Sequence, residues 1–338
     1  MRGVAPLVTW MAKTTHRARL LRSLSVASGY VRRTPGFQVL TYHRVNDADD
    51  PFFEAMPTAT FERQAAWLAR TCCVMTVEDL ADRVRRGRVP RNAVAITFDD
   101  GYRDNLTHAA PILTRYGLPA TVFVTTGFIG TGDVPWFDRV ACAIKETAAP
   151  ELVLPTGERL ALGDTAARLR ALHHTLGVLK REPDRMMRAI ADDLVDGLGV
   201  DPASRLRGQM LTWDEVRALR ALGFAIGAHT VTHPILSRLD DDARAWQEIA
   251  GSRRAIERAL GEAPRAFAYP NGRSADYGAR DRDLVVRAGF TCAVTTRFGV
   301  NTADTDAWEL RRGGPWEQDL PTFALKLAGY RLAAVTEG

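Results

Sequence analysis

The sequence predicts an α/β protein built around a parallel β-sheet or barrel. Short apolar runs typical of buried strands alternate with longer segments of helical periodicity, and each strand run ends in turn or polar residues. Glycines close several of the helical segments just before the next strand. Alternation of this kind favours parallel strands joined by crossover helices. With 338 residues, 46% of them hydrophobic, the chain is long enough to bury a sizeable core.

Six runs are predicted as strands because they are apolar and bounded by turn residues. They are residues 37–42, 93–98, 120–125, 224–228, 266–269 and 292–295. Six helices are predicted at residues 60–71, 76–87, 106–116, 212–222, 240–260 and 280–288. Gly117, Gly223 and Gly289 stand at helix ends, where a left-handed residue terminates the last turn. The strand that follows each glycine begins within three residues, as in a wound α/β fold.

Residues 139–208 interrupt this alternation. The region is rich in Ala, Leu, Arg and Asp and has few β-branched runs, so we predict a mostly helical insertion with a small hairpin around residues 155–157. Its His173–His174 pair has no nearby Asp or Cys, and we interpret it as a surface or packing pair.

Positive charge is concentrated at the N terminus. Residues 1–33 carry a net charge of +7 and the whole chain +5, so the remaining residues sum to −2. This distribution argues against a nucleic-acid-binding surface on the main domain, residues 37–338. Arginines interrupt the apolar run that a secretion signal needs, so we expect a cytoplasmic protein. The N-terminal arm, residues 1–36, is then either a solvated helix or a peripheral contact with anionic lipid at the inner membrane face.

The cysteines give no sign of a disulfide framework or a thiolate metal site. Cys72, Cys73, Cys142 and Cys292 show no C-x-x-C spacing, and adjacent cysteines scarcely bridge without strain. We therefore predict small buried hydrophobic residues in a reducing compartment. No run of eighteen apolar residues is present, so a membrane-spanning helix is not expected.

Two adjacent carboxylates follow the second predicted strand. In A-I-T-F-D-D-G-Y, residues 95–102, Asp99 and Asp100 precede Gly101, which permits the chain to bend. Neighbouring side chains of an extended chain point in opposite directions, so one acid can bind a metal while the other transfers a proton. An ordinary Asp-Gly turn is the alternative that this motif alone leaves open.

Two histidines follow the strand predicted at residues 224–228. His229 and His233, in H-T-V-T-H, are four residues apart and can converge on one cation if the chain turns between them. With Asp100 they offer one oxygen and two nitrogens. That set, with positions left open for water and a carbonyl oxygen, suits Zn²⁺, with Co²⁺ or Ni²⁺ as alternatives.

Two further strand ends carry weaker signals. In F-A-Y-P-N-G, residues 267–272, a backbone N–H near Tyr269 and Asn271 is a candidate oxyanion donor, and a plain Pro-Asn-Gly turn is the alternative. His43, in T-Y-H-R-V after the first strand, is a candidate proton donor, although a single histidine there is often structural.

Jointly these motifs resemble the polysaccharide deacetylase family, also called the NodB homology domain or carbohydrate esterase family 4. T-F-D-D-G at 97–101 and H-T-V-T-H at 229–233 match its first two motifs, within a resemblance that spans roughly residues 37–312. The resemblance implies a distorted (β/α)7 barrel with its site at the carboxyl ends of the strands. It also implies Asp99 as the general base and a metal held by Asp100, His229 and His233.

The sequence departs from the family pattern in two places. An Arg-Pro-Pro-Tyr-Gly-like third motif appears here as A-Y-P-N-G, residues 268–272, so the arginine that orients the base is missing there. The candidates to replace it are Arg265, Arg311 and Arg312. No histidine follows His233, so the usual C-terminal acid is absent. Tyr42-His43 resembles the branch that deacetylates poly-N-acetylglucosamine, which implies His43 as the acid.

The resemblance therefore implies a metal-dependent hydrolase that removes N-acetyl groups, or less readily O-acetyl groups, from an acetylated glycan. One alternative is a metal-independent amidohydrolase on the same scaffold that acts on cyclic ureides or imides. Another is a catalytically inactive glycan-binding protein. The intact set of Asp100, His229 and His233 argues against the first alternative, and the retained Asp99 argues against the second.

Overall fold

A single parallel sheet forms the centre of the computed structural model, which describes residues 36–314 and 317–333. The strands follow the order β1-β3-β4-β7-β8-β9, with β2 paired to β3. Their bounds are β1 Gln38–Tyr42, β2 Cys73–Met75, β3 Ala93–Phe98, β4 Thr121–Val124, β7 Ala225–Ala228, β8 Ala266–Ala268 and β9 Cys292–Val294. The six predicted strands are confirmed. The three-residue β2 was missed because so short a run has no readable periodicity.

Helices cover the sheet between the strands. They are α1 Thr58–Thr71, α2 Val77–Arg85, α3 Ala110–Arg115, α4 Trp136–Glu146, α5 Thr165–Leu179, α6 Asp184–Gly197, α7 Pro202–Arg205, α8 Trp213–Ala221, α9 Asp242–Leu260, α10 Ala279–Arg287 and α11 Leu320–Ala333. A π-helical turn, Asn105–Ala109, precedes α3. Gly117, Gly223 and Gly289 all have positive φ, as predicted for helix ends.

The sheet curls, and residues 310–313 lie between its two edges. Leu310 pairs with Val294 of β9, and Gly313 pairs with Leu40 of β1, both in parallel. Backbone hydrogen bonds from Thr295 N to Leu310 O (2.8 Å) and from Thr41 N to Gly313 O (3.1 Å) complete the bridge. The result is a distorted (β/α) barrel, which confirms the predicted fold class. We call residues 310–313 the closing segment.

Alternate strand residues divide into two apolar layers. Val39, Ala95 and Phe123 belong to one buried cluster, whereas Leu40 and Ile96 belong to another that includes residues of α1, α8 and α9. The second layer therefore joins the sheet to its helices, and the first fills the barrel. Both faces of the strands are buried, as expected for a parallel sheet.

The insertion has its own apolar core and is mostly helical, as predicted. It contains α4 to α7 and a hairpin of β5 (Glu151–Val153) and β6 (Arg159–Ala161), which confirms the turn predicted at residues 155–157. Its core residues are Trp136, Val140, Ile144, Leu152, Leu172, Leu179, Met187 and Leu194, among others. His174 is exposed and lies 2.9 Å from Glu158, which agrees with a surface pair.

The predictions for the cysteines, the N-terminal arm and membrane-spanning helices have different outcomes. Cys142 and Cys292 are buried as expected, but Cys73 is exposed at the start of the short strand β2, so the prediction of burial was wrong there. The arm of residues 1–36, for which a membrane contact was one of the two predictions, lies outside the described residues apart from Gly36. In the described part of the chain, no helix is both long enough and apolar enough to cross a membrane.

Candidate active site

The strand ends that carry the sequence motifs lie side by side at one end of the barrel. Asp99 N donates to Tyr42 O at 3.0 Å, which places the Asp99-Asp100 pair next to His43. His229 N donates to Val124 O at 3.0 Å, and Thr125 N donates to Asp100 O at 3.2 Å. The parallel register thus brings three motifs from distant parts of the sequence to one site.

Asp100, His229 and His233 converge on one point. One ligand atom from each lies within 4.8 Å of the others, and all three side chains are buried. Asp100 Oδ1 is 3.4 Å from His229 Nε2 and 3.4 Å from His233 Nε2. A tetrahedral site with bonds of about 2.1 Å has edges of about 3.4 Å, so this spacing fits a cation such as Zn²⁺. Asp100 Oδ1 has no hydrogen-bond partner among the described residues, which also leaves it available as a ligand.

The two imidazoles turn Nε2 toward Asp100, and their pKa values shift in opposite directions. His229 Nδ1 is 2.8 Å from Ala268 O, so this nitrogen carries a proton and Nε2 faces the cluster. Burial alone lowers the pKa of His229, but the neighbouring Asp100 and Asp99 carboxylates outweigh it and raise that pKa. Burial lowers the pKa of His233 to about 3. Burial alone raises the pKa of Asp100, but the neighbouring histidines outweigh it and keep that pKa well below its usual value.

Left-handed backbone conformations place these ligands. Asp100 has φ 74°, Thr230 φ 66° and His233 φ 57°, conformations that cost of order 1–3 kcal/mol each for residues with side chains. They persist because surrounding contacts hold them: His233 N donates to Thr230 Oγ1 at 3.0 Å, and Gly127 N donates to Val231 O at 2.7 Å. We call residues 229–233 the histidine loop.

Asp99 is held by a fully buried arginine. Arg312 Nη1 donates to Asp99 Oδ1 at 2.8 Å and Nη2 to Oδ2 at 2.7 Å, a two-pronged ion pair. Asp99 and Arg312 are each 2% exposed. Burial alone raises the pKa of Asp99, but the Arg312 charge overcomes it and holds the pKa below its usual value. Asp99 is therefore ionised at neutral pH and fixed in orientation.

Of the three arginines predicted as candidates to orient Asp99, only Arg312 contacts it. The expectation for Arg265 is wrong because its guanidinium binds both oxygens of Asp82, at 2.8 and 2.7 Å, where β8 begins. The expectation for Arg311 is wrong because its main chain binds Asn301 and its side chain lies against Gly299 instead of Asp99. Alternation along the closing segment places these adjacent side chains on opposite faces.

His43 lies on the wall of a cleft of about 940 Å³ that also exposes Asp100. The side chain is exposed, and its carbonyl oxygen accepts from Asn105 Nδ2 at 2.8 Å, which fixes the backbone at this strand end. Phe52, Phe53 and Phe137 supply apolar surface to the same cleft. Aromatic surface combined with a few polar groups is typical of clefts that bind small ligands.

The expectation for Tyr269 was wrong. Its side chain is fully buried in the layer between sheet and helices, stacked on Tyr277 with ring centroids 4.2 Å apart. Its N–H already donates to Val294 O at 3.1 Å. Tyr269 follows β8 with the outward phase of Phe267, so it cannot face the cleft. Asn271 is half-buried in a left-handed turn with φ 56°. Its N–H donates no hydrogen bond to the described residues.

A buried polar group on the cleft wall was missed by the sequence reasoning. Asp138, in the first turn of α4, accepts from Tyr102 Oη at 2.8 Å, and Arg44 lies over the Tyr102 ring at 4.7 Å. Burial raises the pKa of Asp138 to about 7. No motif marks it, because Asp138 and Tyr102 are 36 residues apart and meet only in the fold.

Comparison with known proteins places this geometry in context. A family model described as "Polysaccharide deacetylase" matches residues 86–293, which is more than half of the chain. Poly-beta-1,6-N-acetyl-D-glucosamine N-deacetylases of several Staphylococcus aureus strains are 31% identical over 116 residues. That alignment covers 30% of this chain and 40% of the curated relative, so the chain spans well under two thirds of those relatives.

Solved structures share the fold at low sequence identity. The deacetylase PplD of Streptococcus pyogenes, solved in complex with acetate, matches with a TM-score of 0.58 at 18% identity, covering 87% of this chain and 99% of that one. IcaB from Ammonifex degensii matches with a TM-score of 0.56 at 20% identity, covering 87% and 97%. These likenesses extend beyond the barrel to most of the chain.

Proposed function

Because the chain belongs to the polysaccharide deacetylase family, we propose that it is a divalent-metal-dependent hydrolase that removes N-acetyl groups from a glycan containing N-acetylglucosamine. The observation that carries the proposal is the convergence of Asp100, His229 and His233 beside the ionised Asp99, next to an open cleft whose wall includes Asp100 and His43. The Staphylococcus aureus relatives, which are poly-beta-1,6-N-acetyl-D-glucosamine N-deacetylases, support this substrate class.

In this proposal Asp100, His229 and His233 hold the cation, most simply Zn²⁺. When bound there, a divalent ion supplies Lewis acidity to the acetyl carbonyl and to water. The chain's own contribution is a rigid set of ligands: Ala268 O fixes the His229 ring, and Thr230 Oγ1 fixes the backbone of His233. Side chains oriented in this way would hold a divalent cation without rearrangement of the histidine loop.

Asp99 and His43 divide the proton transfers. Asp99 takes a proton from the attacking water on a free lone pair of its carboxylate, since Arg312 occupies only one position on each oxygen. His43, exposed on the cleft wall, donates a proton to the departing sugar amine. The half-buried N–H of Asn271 is the remaining candidate for holding the oxyanion. Acetate and a free amino sugar result.

An acetate-release assay with N-acetylglucosamine oligomers tests the proposal. We expect acetate above the no-enzyme blank, loss of the activity after dialysis against a chelator, and recovery when Zn²⁺ is restored. Activity on a cyclic imide that is insensitive to the chelator would instead support a metal-independent amidohydrolase. Binding of oligomers without any acetate release would support a glycan-binding protein and overturn the proposal.

Substitution of His43 tests the identity of the proton donor. We expect His43→Ala to lower acetate release from the oligomers by about 10²–10⁴-fold, because an amine leaves poorly without a proton. Hydrolysis of 4-nitrophenyl acetate should fall much less, since nitrophenolate departs unprotonated. His174→Ala, which alters an exposed histidine of the insertion, is the matched control. An equal loss on both substrates would show that His43 has a different role.

A further inference from the structure

The histidine loop is held from two sides through Thr232. From the barrel side, Glu248 of α9 accepts from Val231 N at 2.9 Å and from Thr232 N at 2.8 Å. Its other oxygen accepts from Thr232 Oγ1 at 2.8 Å. Glu248 is 8% exposed, so water competes little for these bonds.

From the opposite side, the insertion contacts the same residue. Arg188 of α6 donates from Nη2 to Thr232 Oγ1 at 2.9 Å and to Thr232 O at 3.2 Å. The Thr232 hydroxyl therefore accepts from Arg188 while it donates to Glu248. Arg188 is itself fixed by the buried carboxylate of Asp184 at 3.0 Å, which also accepts from Arg244 of α9 at 2.5 Å.

The insertion also packs directly on a metal-ligating ring. Phe137, in the first turn of α4, contacts the His233 imidazole edge to face, with ring centroids 5.1 Å apart. The histidine loop contains Thr230 and His233 in the left-handed backbone conformation, which is unfavourable for residues other than glycine. Such a conformation persists only where several surrounding contacts hold it in place.

We propose that the insertion serves as a clamp for the histidine loop, with Arg188 and Glu248 as positioning residues that fix His233 for metal binding. This rests on the metal site of the proposed function, but not on any particular substrate. This gives the insertion a role, because its helices α4 and α6 contact the histidine loop through Phe137 and Arg188. Groups that orient metal ligands characteristically change metal affinity when removed.

Metal affinity measured without substrate tests this proposal. Zn²⁺ is titrated into the metal-free protein in competition with a chromophoric chelator. We expect Arg188→Ala to raise the Kd for Zn²⁺ by about 10-fold or more. The matched control is Arg185→Ala, an exposed arginine on the same helix, which should leave the Kd unchanged. A wild-type Kd in Arg188→Ala would overturn the proposal.

Hydrogen exchange in the metal-free protein supplies a second readout. The amides of Val231 and Thr232 should exchange faster in Arg188→Ala than in wild type, while those of β7 stay as they were. If Arg188→Ala does not fold, Arg188→Lys is the alternative variant. It keeps the positive charge but loses the planar guanidinium and its fixed donors, and it should raise the Kd for Zn²⁺ by a smaller factor. Unchanged exchange and an unchanged Kd in Arg188→Lys would sink the idea. A shifted Kd without deacetylation of any glycan would instead count against the proposed function alone.

Discussion

Asp99→Asn is expected to lower acetate release by about 10²–10⁴-fold while Zn²⁺ binding is retained. An amide oxygen cannot take the proton that a carboxylate takes, yet it keeps the size and one acceptor facing Arg312. The change leaves the proposed metal ligands Asp100, His229 and His233 in place. Turnover on N-acetylglucosamine oligomers and metal content after gel filtration are the two measurements.

Two controls make this result interpretable. Asp193→Asn, on an exposed residue of α6, should retain wild-type activity and metal content. A thermal unfolding curve shows how much stability is lost when Arg312 no longer faces a full negative charge. If Asp99→Asn loses its metal, or keeps more than a tenth of the activity, the division of roles between Asp99 and Asp100 is wrong.

Arg312→Met is expected to affect both stability and the pH profile. Removing one partner of a buried ion pair leaves an uncompensated charge, which costs about 3–5 kcal/mol in the free energy of unfolding. Asp99 has a lowered folded pKa, so the pair stabilises the protein above the pKa of an unfolded carboxyl and this contribution is lost as pH falls through the folded value. The deficit relative to wild type should therefore be largest at neutral pH and shrink in acid.

The same change should move the acidic limb of the rate profile. Without Arg312, burial raises the pKa of Asp99, so the carboxyl is protonated at pH values where wild type is active. The acidic limb of kcat/KM is expected to shift to higher pH. Arg311→Met is the matched control, because the side chain of Arg311 is adjacent in sequence to Arg312 but does not contact Asp99. Urea unfolding at several pH values, together with a pH–rate profile, measures both effects. Wild-type behaviour in Arg312→Met would contradict the assigned role.

The sequence predicted those parts of the site that are local to a strand end. Asp99 and Asp100 follow β3, and His229 follows β7, so each motif is readable within a few residues. Their convergence followed from parallel strands, whose carboxyl ends share one edge of the sheet. The apolar runs, the helix-ending glycines and the insertion were predictable for the same reason: each is encoded by local pattern.

What escaped prediction depends on contacts between distant residues. The choice of Arg312 over its neighbours depends on which face of the closing segment meets β3, 213 residues earlier. Glu248 and Arg188 contact Thr232 from 16 and 44 residues away, across two different helices. Tyr269 was predicted as a candidate oxyanion donor because it begins the turn motif, whereas pairing with β9 already occupies its N–H and the strand's alternation directs its ring outward.

The closing segment links the orientation of the Asp99 carboxylate to closure of the barrel, because Arg312 lies on the segment that joins β9 to β1. The stretch that carries the family signature, residues 86–293, includes all three metal ligands but neither His43 nor Arg312. An excised fragment with those limits would lack β1 and the closing segment, and Asp99 would lose its ion pair with Arg312. The proposed cation ligands therefore belong to the interior of the sequence, whereas the proposed acid His43 and the arginine that orients Asp99 come from its two flanks.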